Sequence, residues 1–210
     1  MFKALNKQIS NPEHFKLKLG NHELETKVCT KFLRIELDSQ ILFREHVSEV
    51  CRKLNFVLLL MRCIRPYLDD DTMINIYYTF FYPHLIYGIE FYGHAAKCHL
   101  NQILILQKSA VRIILKIRPR SHVSSYFKTL QIMPIDMLFK YRFLLLFENC
   151  FSRGSLQLNR PTFNKTRSKD QFVPKRANNC RGERSLLTTG VNLWNTYLQG
   201  EEPGEPSSLR

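Results

Sequence analysis

The chain has 210 residues, 44% of them hydrophobic, and 31 Lys or Arg against 18 Asp or Glu, for a formal net charge of +13. That length holds one domain, or one and a tail, with enough apolar residues for a core. Six cysteines (Cys29, Cys51, Cys63, Cys98, Cys150, Cys180) lie scattered with no short pair spacing, which excludes the disulfide framework of a small secreted domain. Residues 1–10 contain no apolar run of signal-peptide length. Residues 75–93 are aromatic-rich, but Pro83, His84 and Glu90 interrupt them before a membrane span is reached. An intracellular chain, in cytoplasm or nucleus, soluble by itself or only with its partners and with no membrane partner, is the expectation.

In chain order, residues 1–12 are an irregular lead-in. Phe15, Leu17 and Leu19 then alternate with Lys16 and Lys18, the two-residue period of a half-buried strand. Gly20-Asn21 supplies a hairpin turn, Leu24, Thr26 and Val28 a second strand, and Phe32, Leu33, Ile35 and Leu37 a third. The pattern predicts a small antiparallel β-meander over residues 1–40, too small to be stable unless something packs on it. From Phe43 the apolar spacing becomes helical through Arg65, and Pro66 stops the helix. Asp69, Asp70 and Asp71 open the next helical run, which Pro83 kinks rather than ends. Further helices are expected at about 100–117, at 126–130, and from Pro134, read as a first-turn proline, to about Gly154. The fold class is therefore mainly α, with a helical bundle over residues 41–152. Residues 153–185 hold nine Lys or Arg against two Asp or Glu and read as a basic, loosely ordered arm. Residues 186–200 form an apolar docking segment, and residues 201–210 a polar tail.

Charge is segregated. Residues 1–90 carry 12 basic and 11 acidic side chains, whereas residues 91–210 carry 19 and 7. Between Phe91 and Ile135 there are seven Lys or Arg and no carboxylate. Lys108, Arg112 and Lys116, at four-residue spacing, read as one ridge of a helix whose other faces (Leu104, Leu106, Ala110, Val111, Ile114, Leu115, Ile117) are expected to be buried. Arg118, Arg120 and His122 extend the positive surface beyond it. Such a ridge suits a polyanion; the competing reading is a solvated face of a basic protein.

Catalytic readings are weaker. The Asp69–Asp71 cluster could suggest two-metal chemistry, but it precedes an amphipathic helix, where carboxylates act as caps. His94, Cys98 and His99 have no third and fourth partner at zinc-site spacing. No glycine-rich phosphate loop and no nucleophile elbow is present. The residues thus offer no catalytic group and no metal site.

Several segments in fixed order carry a family resemblance: KFLRIELD at 31–38, HVSEV at 46–50, IYYTFFYPHLIYGIEFYG at 76–93, LQKSAVRII at 106–114 and TGVNLWN at 189–195. Together they resemble the region after the catalytic palm in LINE-type (non-LTR, Jockey-like) retrotransposon reverse transcriptases, from about Phe15 to Leu198. The resemblance implies that Phe32, Leu33 and Arg34 match the family's F-L-G primer-grip hairpin, with Arg34 in place of glycine. It implies that the following helices are thumb-like and hold RNA, DNA or an RNA–DNA hybrid by the backbone. The family's paired aspartates lie upstream of such a hairpin, so a fragment without activity of its own is expected. Mg2+ then belongs to the missing palm, which is itself a candidate partner. A helical protein-interaction module with no nucleic-acid role is the alternative.

Overall fold

The computed structural model describes residues 18–23, 27–156, 171–177 and 180–198. It is mainly α-helical, with small antiparallel β elements near the N-terminus. Those elements are two separate two-stranded hairpins, not the three-stranded meander read from the alternation. Strands β1 (Lys18–Leu19) and β2 (His22–Glu23) pair around Gly20, whose φ is 61°. Strands β3 (Cys29–Phe32) and β4 (Ile35–Asp38) pair in the register Phe32–Ile35. The run 32–37, read as one strand, is broken at Leu33 and Arg34, which turn the chain with φ of 47° and 61°. Neither is Gly or Asn, so the turn left no compositional mark. Phe15, Leu17, Leu24 and Thr26 lie outside the described residues.

Asp38 joins the hairpin to the first helix. Its carboxylate accepts hydrogen bonds from the backbone N–H groups of Gln40, Leu42 and Phe43 at 2.8–3.1 Å. Helix α1 (Arg44–Ile64) buries Val47, Val50, Leu54, Val57, Leu58 and Met61, the three- and four-residue spacing of one face. Pro66 lacks an N–H, and the chain passes into a single tighter turn at Arg65–Tyr67. Helix α2 (Asp70–Ile76) starts with Asp69 at its N-cap position and Asp70 and Asp71 in its first turn. It runs through a wide π turn (Tyr77–Phe81) into α3 (Tyr82–Ile86). The widened turn lies just before Pro83, where the regular ladder would be interrupted. Gly88, at φ 71°, separates α3 from α4 (Ile89–Tyr92).

Helix α5 (Lys97–Ile114) packs along α1, and α6 (Tyr126–Thr129) follows the basic loop. Helix α7 (Ile135–Ser152) has Pro134 at its N-cap, one position before the first-turn place expected of it. Buried Gln107 ties three elements together. Its amide nitrogen donates to Tyr77 Oη at 3.2 Å and to the Met133 carbonyl at 3.1 Å, and its oxygen accepts from the Ile135 N–H at 2.8 Å. Gly93 admits Phe139, which lies 2.1 Å from where a Cβ would stand. Short α8 (Cys180–Glu183), a π turn at Leu186–Gly190 and α9 (Val191–Leu198) follow. Val191 and Trp194 pack against Phe147 of α7. Residues 171–177 have no helix or strand, and Phe172 exchanges two hydrogen bonds with the Asn195 amide. Among the described residues, no helix is long and apolar enough to cross a membrane.

Candidate nucleic-acid interface

The site forms where α1 and α5 both end. Helix α5 stops at Ile114, three residues short of the expected Ile117, because Lys116 turns left-handed at φ 53°. The Ile117 N–H bonds back to the Arg112 carbonyl at 3.0 Å and the Lys116 N–H to the Ile113 carbonyl at 3.4 Å, a Schellman close. Lys116 therefore does not continue the ridge of Lys108 and Arg112. A second turn follows, in which the Ser121 N–H donates to the Arg118 carbonyl at 3.2 Å, with Pro119 and then Arg120 at its centre. Arg120 has φ 75°, a place that favours glycine. Val123 and Phe127 are buried and anchor the returning loop.

Between these turns and the end of α1 lies an open groove of about 420 Å³, lined by Arg62, Arg65, Ser109, Arg112, Ile113, Lys116, Ile117, Pro119 and Arg120. Five of these side chains are cations and none is a carboxylate. Two of the five are engaged with the protein's own carbonyls. Arg65 is buried and donates to the carbonyls of Ile113 at 2.9 Å and Ile114 at 2.6 Å at the end of α5, and it pairs with Asp70. Arg112 donates twice to the Ser121 carbonyl, at 3.1 and 2.9 Å, and so fastens the loop. Arg62, Lys116 and Arg120 are exposed, and among the described residues they make no ion pair or side-chain hydrogen bond. Lys108, Arg118 and His122 lie outside the groove lining, Arg118 and His122 being exposed.

Arg62 was not singled out in the sequence, although it interrupts the apolar run Leu58–Met61 just before the helix ends. Phe32 and Leu33, at the hairpin tip, are 62% and 69% exposed. His94 is wedged edge-on against Phe139 and Phe143, and burial, aided by the charge of Arg184, lowers its pKa to about 4. Among the described residues no three His, Cys, Asp or Glu side chains converge to hold a metal ion.

Part of the chain is similar in sequence to the RNA-directed DNA polymerases of LINE-type retrotransposons. The chain is 36% identical over 87 residues to the RNA-directed DNA polymerase from the mobile element jockey of Drosophila melanogaster, and 34% identical over 91 residues to that of Drosophila funebris. Each match spans 40% of this chain and 10% of the relative, so the matched region is about a tenth of the length of the curated relatives. No protein-family model and no solved structure matches the chain.

Proposed function

We propose that this segment binds the phosphate backbone of a template–primer nucleic acid (RNA, DNA or a hybrid) in the groove where α1 and α5 end, and that polymerase chemistry and its Mg2+ belong to the rest of a full-length polymerase. The observation that carries this reading is the groove lining: several cations, no carboxylate, and Arg62, Lys116 and Arg120 without ion pairs or side-chain hydrogen bonds among the described residues. Two of those three sit on segments held by left-handed turns, and Lys116 and Arg120 themselves occupy positions that favour glycine. Strained positions that carry charge instead of glycine are typical of contact sites. Contacts of this kind fix position on the duplex and carry no sequence information. Lys108, Arg118 and His122 extend the positive field around the groove. Phe32, Leu33 and Arg34 present a second contact at the opposite end of α1.

The relatives' function as RNA-directed DNA polymerases supports a nucleic-acid partner. A second surface faces the remaining polypeptide of such a polymerase: Phe56, Leu59 and Leu60 on α1 are 62%, 55% and 46% exposed, an apolar stripe that water does not favour. The experiment is equilibrium binding of a labelled RNA–DNA hybrid. Arg62→Gln with Arg120→Gln is expected to weaken binding at least tenfold without lowering the melting temperature. Equal affinity in the folded double variant contradicts the assignment.

A further inference from the structure

The tip of the β3–β4 hairpin is held in an unusual way. Leu33 and Arg34 both adopt left-handed backbone conformations, at φ 47° and 61°, that residues with side chains rarely take. Burial does not hold them there, since Leu33 and Arg34 are both exposed. The fastening comes from 54 residues away: the Tyr87 hydroxyl donates to the Leu33 carbonyl at 2.5 Å. Tyr87 is itself half exposed, so its ring is not placed there by the core. The next residue, Gly88, at φ 71°, lets β4 approach closely; a Cβ there would stand 2.7 Å from Ile35 Cδ1. The turn between α3 and α4 thus acts as a bracket, with Tyr87 gripping the tip and Gly88 seating the strand behind it.

We propose that Tyr87 is a positioning residue: its hydroxyl holds the hairpin tip in its left-handed turn and so sets how Phe32, Leu33 and Arg34 meet a nucleic-acid strand. This rests on the nucleic-acid reading above. The tip suits such a partner, because an exposed aromatic ring can stack on a base while the adjacent Arg34 meets a phosphate. An element that contacts a strand must keep its shape before the strand arrives, and here one hydroxyl on a separate helix–turn supplies that.

The test uses the full chain and two substitutions. Tyr87→Phe removes only the hydroxyl. Arg34→Gly removes one of the two side chains that disfavour the left-handed turn, so the turn depends less on the hydroxyl. Two quantities are read: amide hydrogen exchange at Ile35, which closes the turn, and affinity for an RNA–DNA hybrid with a recessed 3′ end. Tyr87→Phe is expected to speed exchange at Ile35 about tenfold and to weaken hybrid binding about fivefold, with an unchanged melting temperature. In the Arg34→Gly background the same change is expected to alter both by less than twofold, the signature of a role exerted through the turn. Unchanged exchange at Ile35, or equal losses in both backgrounds, overturns the proposal. Faster exchange with unchanged affinity overturns its nucleic-acid half alone. If the native chain binds no hybrid, the proposed function fails as well, while the exchange data still decide whether Tyr87 holds the tip.

Discussion

Arg62, Arg65 and Arg112 are the same residue type within one groove, yet they have different tasks. Arg65 completes the carbonyl end of α5 and is buried; Arg112 fastens the loop; Arg62 reaches solvent. Replacing Arg65→Met removes the guanidinium donor from the Ile113 and Ile114 carbonyls. It is expected to lower unfolding free energy by about 2–4 kcal/mol, read by urea denaturation. Arg62→Gln is expected to change it by less than about 0.5 kcal/mol. This division was illegible in the sequence, where the ridge of Lys108, Arg112 and Lys116 stood out by spacing. Arg65 finds its carbonyls 48 and 49 residues away, and no local pattern reports that.

His94 gives the residue scale a pH dependence. Its folded-state pKa, lowered to about 4 by burial, lies below the ordinary 6.5. Between those values the unfolded chain binds more protons than the folded one, so stability rises with pH through that window. It is lost as pH falls from about 6.5 to about 4. His46, lowered mainly by burial, acts in the same direction. Thermal melts across this range are expected to show the loss, and His94→Phe is expected to make it shallower. A loss equally steep in that variant would mean that His94 is already charged in the folded state.

The helices were legible because their apolar residues recur at helical spacing, and Pro66, Pro83 and Pro134 each lie at a break or distortion of it. Helix α5 ends three residues before the Ile117 that the apolar spacing suggests. Apolar Leu115 and Ile117 continue the pattern, but Ile117 packs as the residue after a Schellman turn and not as part of the helix. The β3–β4 turn was missed for a similar reason: its left-handed positions hold Leu33 and Arg34 in place of glycine or asparagine. The same physics supplies a prediction at this scale. Lys116→Gly relieves a left-handed side chain and is expected to stabilise the fold by about 0.5–1 kcal/mol in denaturant melts. Because it also removes a free cation, hybrid affinity is expected to fall. Stability and binding moving in the same direction would show that Lys116 is a structural residue alone.

For the whole molecule, the excess of basic residues in the second half was readable from composition, and a similarity to LINE-type reverse transcriptases, matched over 40% of the chain, from the order of motifs. The groove was not, because one of its three exposed, unengaged cations arrives with α1, a helix in the nearly neutral first half. Only the packing of α1 on α5 brings Arg62 beside Lys116 and Arg120.

A backbone-binding groove releases counterions from the nucleic acid, so the slope of log affinity against log salt counts the phosphates it neutralises, at about 0.7–0.9 per contact. The direct measurement is that slope for an RNA–DNA hybrid, taken for the native chain and for the Arg62→Gln, Lys116→Gln, Arg120→Gln variant. The groove requires the variant's slope to be shallower by about 2–3 while its fold and melting temperature stay intact. Equal slopes in two equally folded proteins would place the phosphate contacts elsewhere and contradict it.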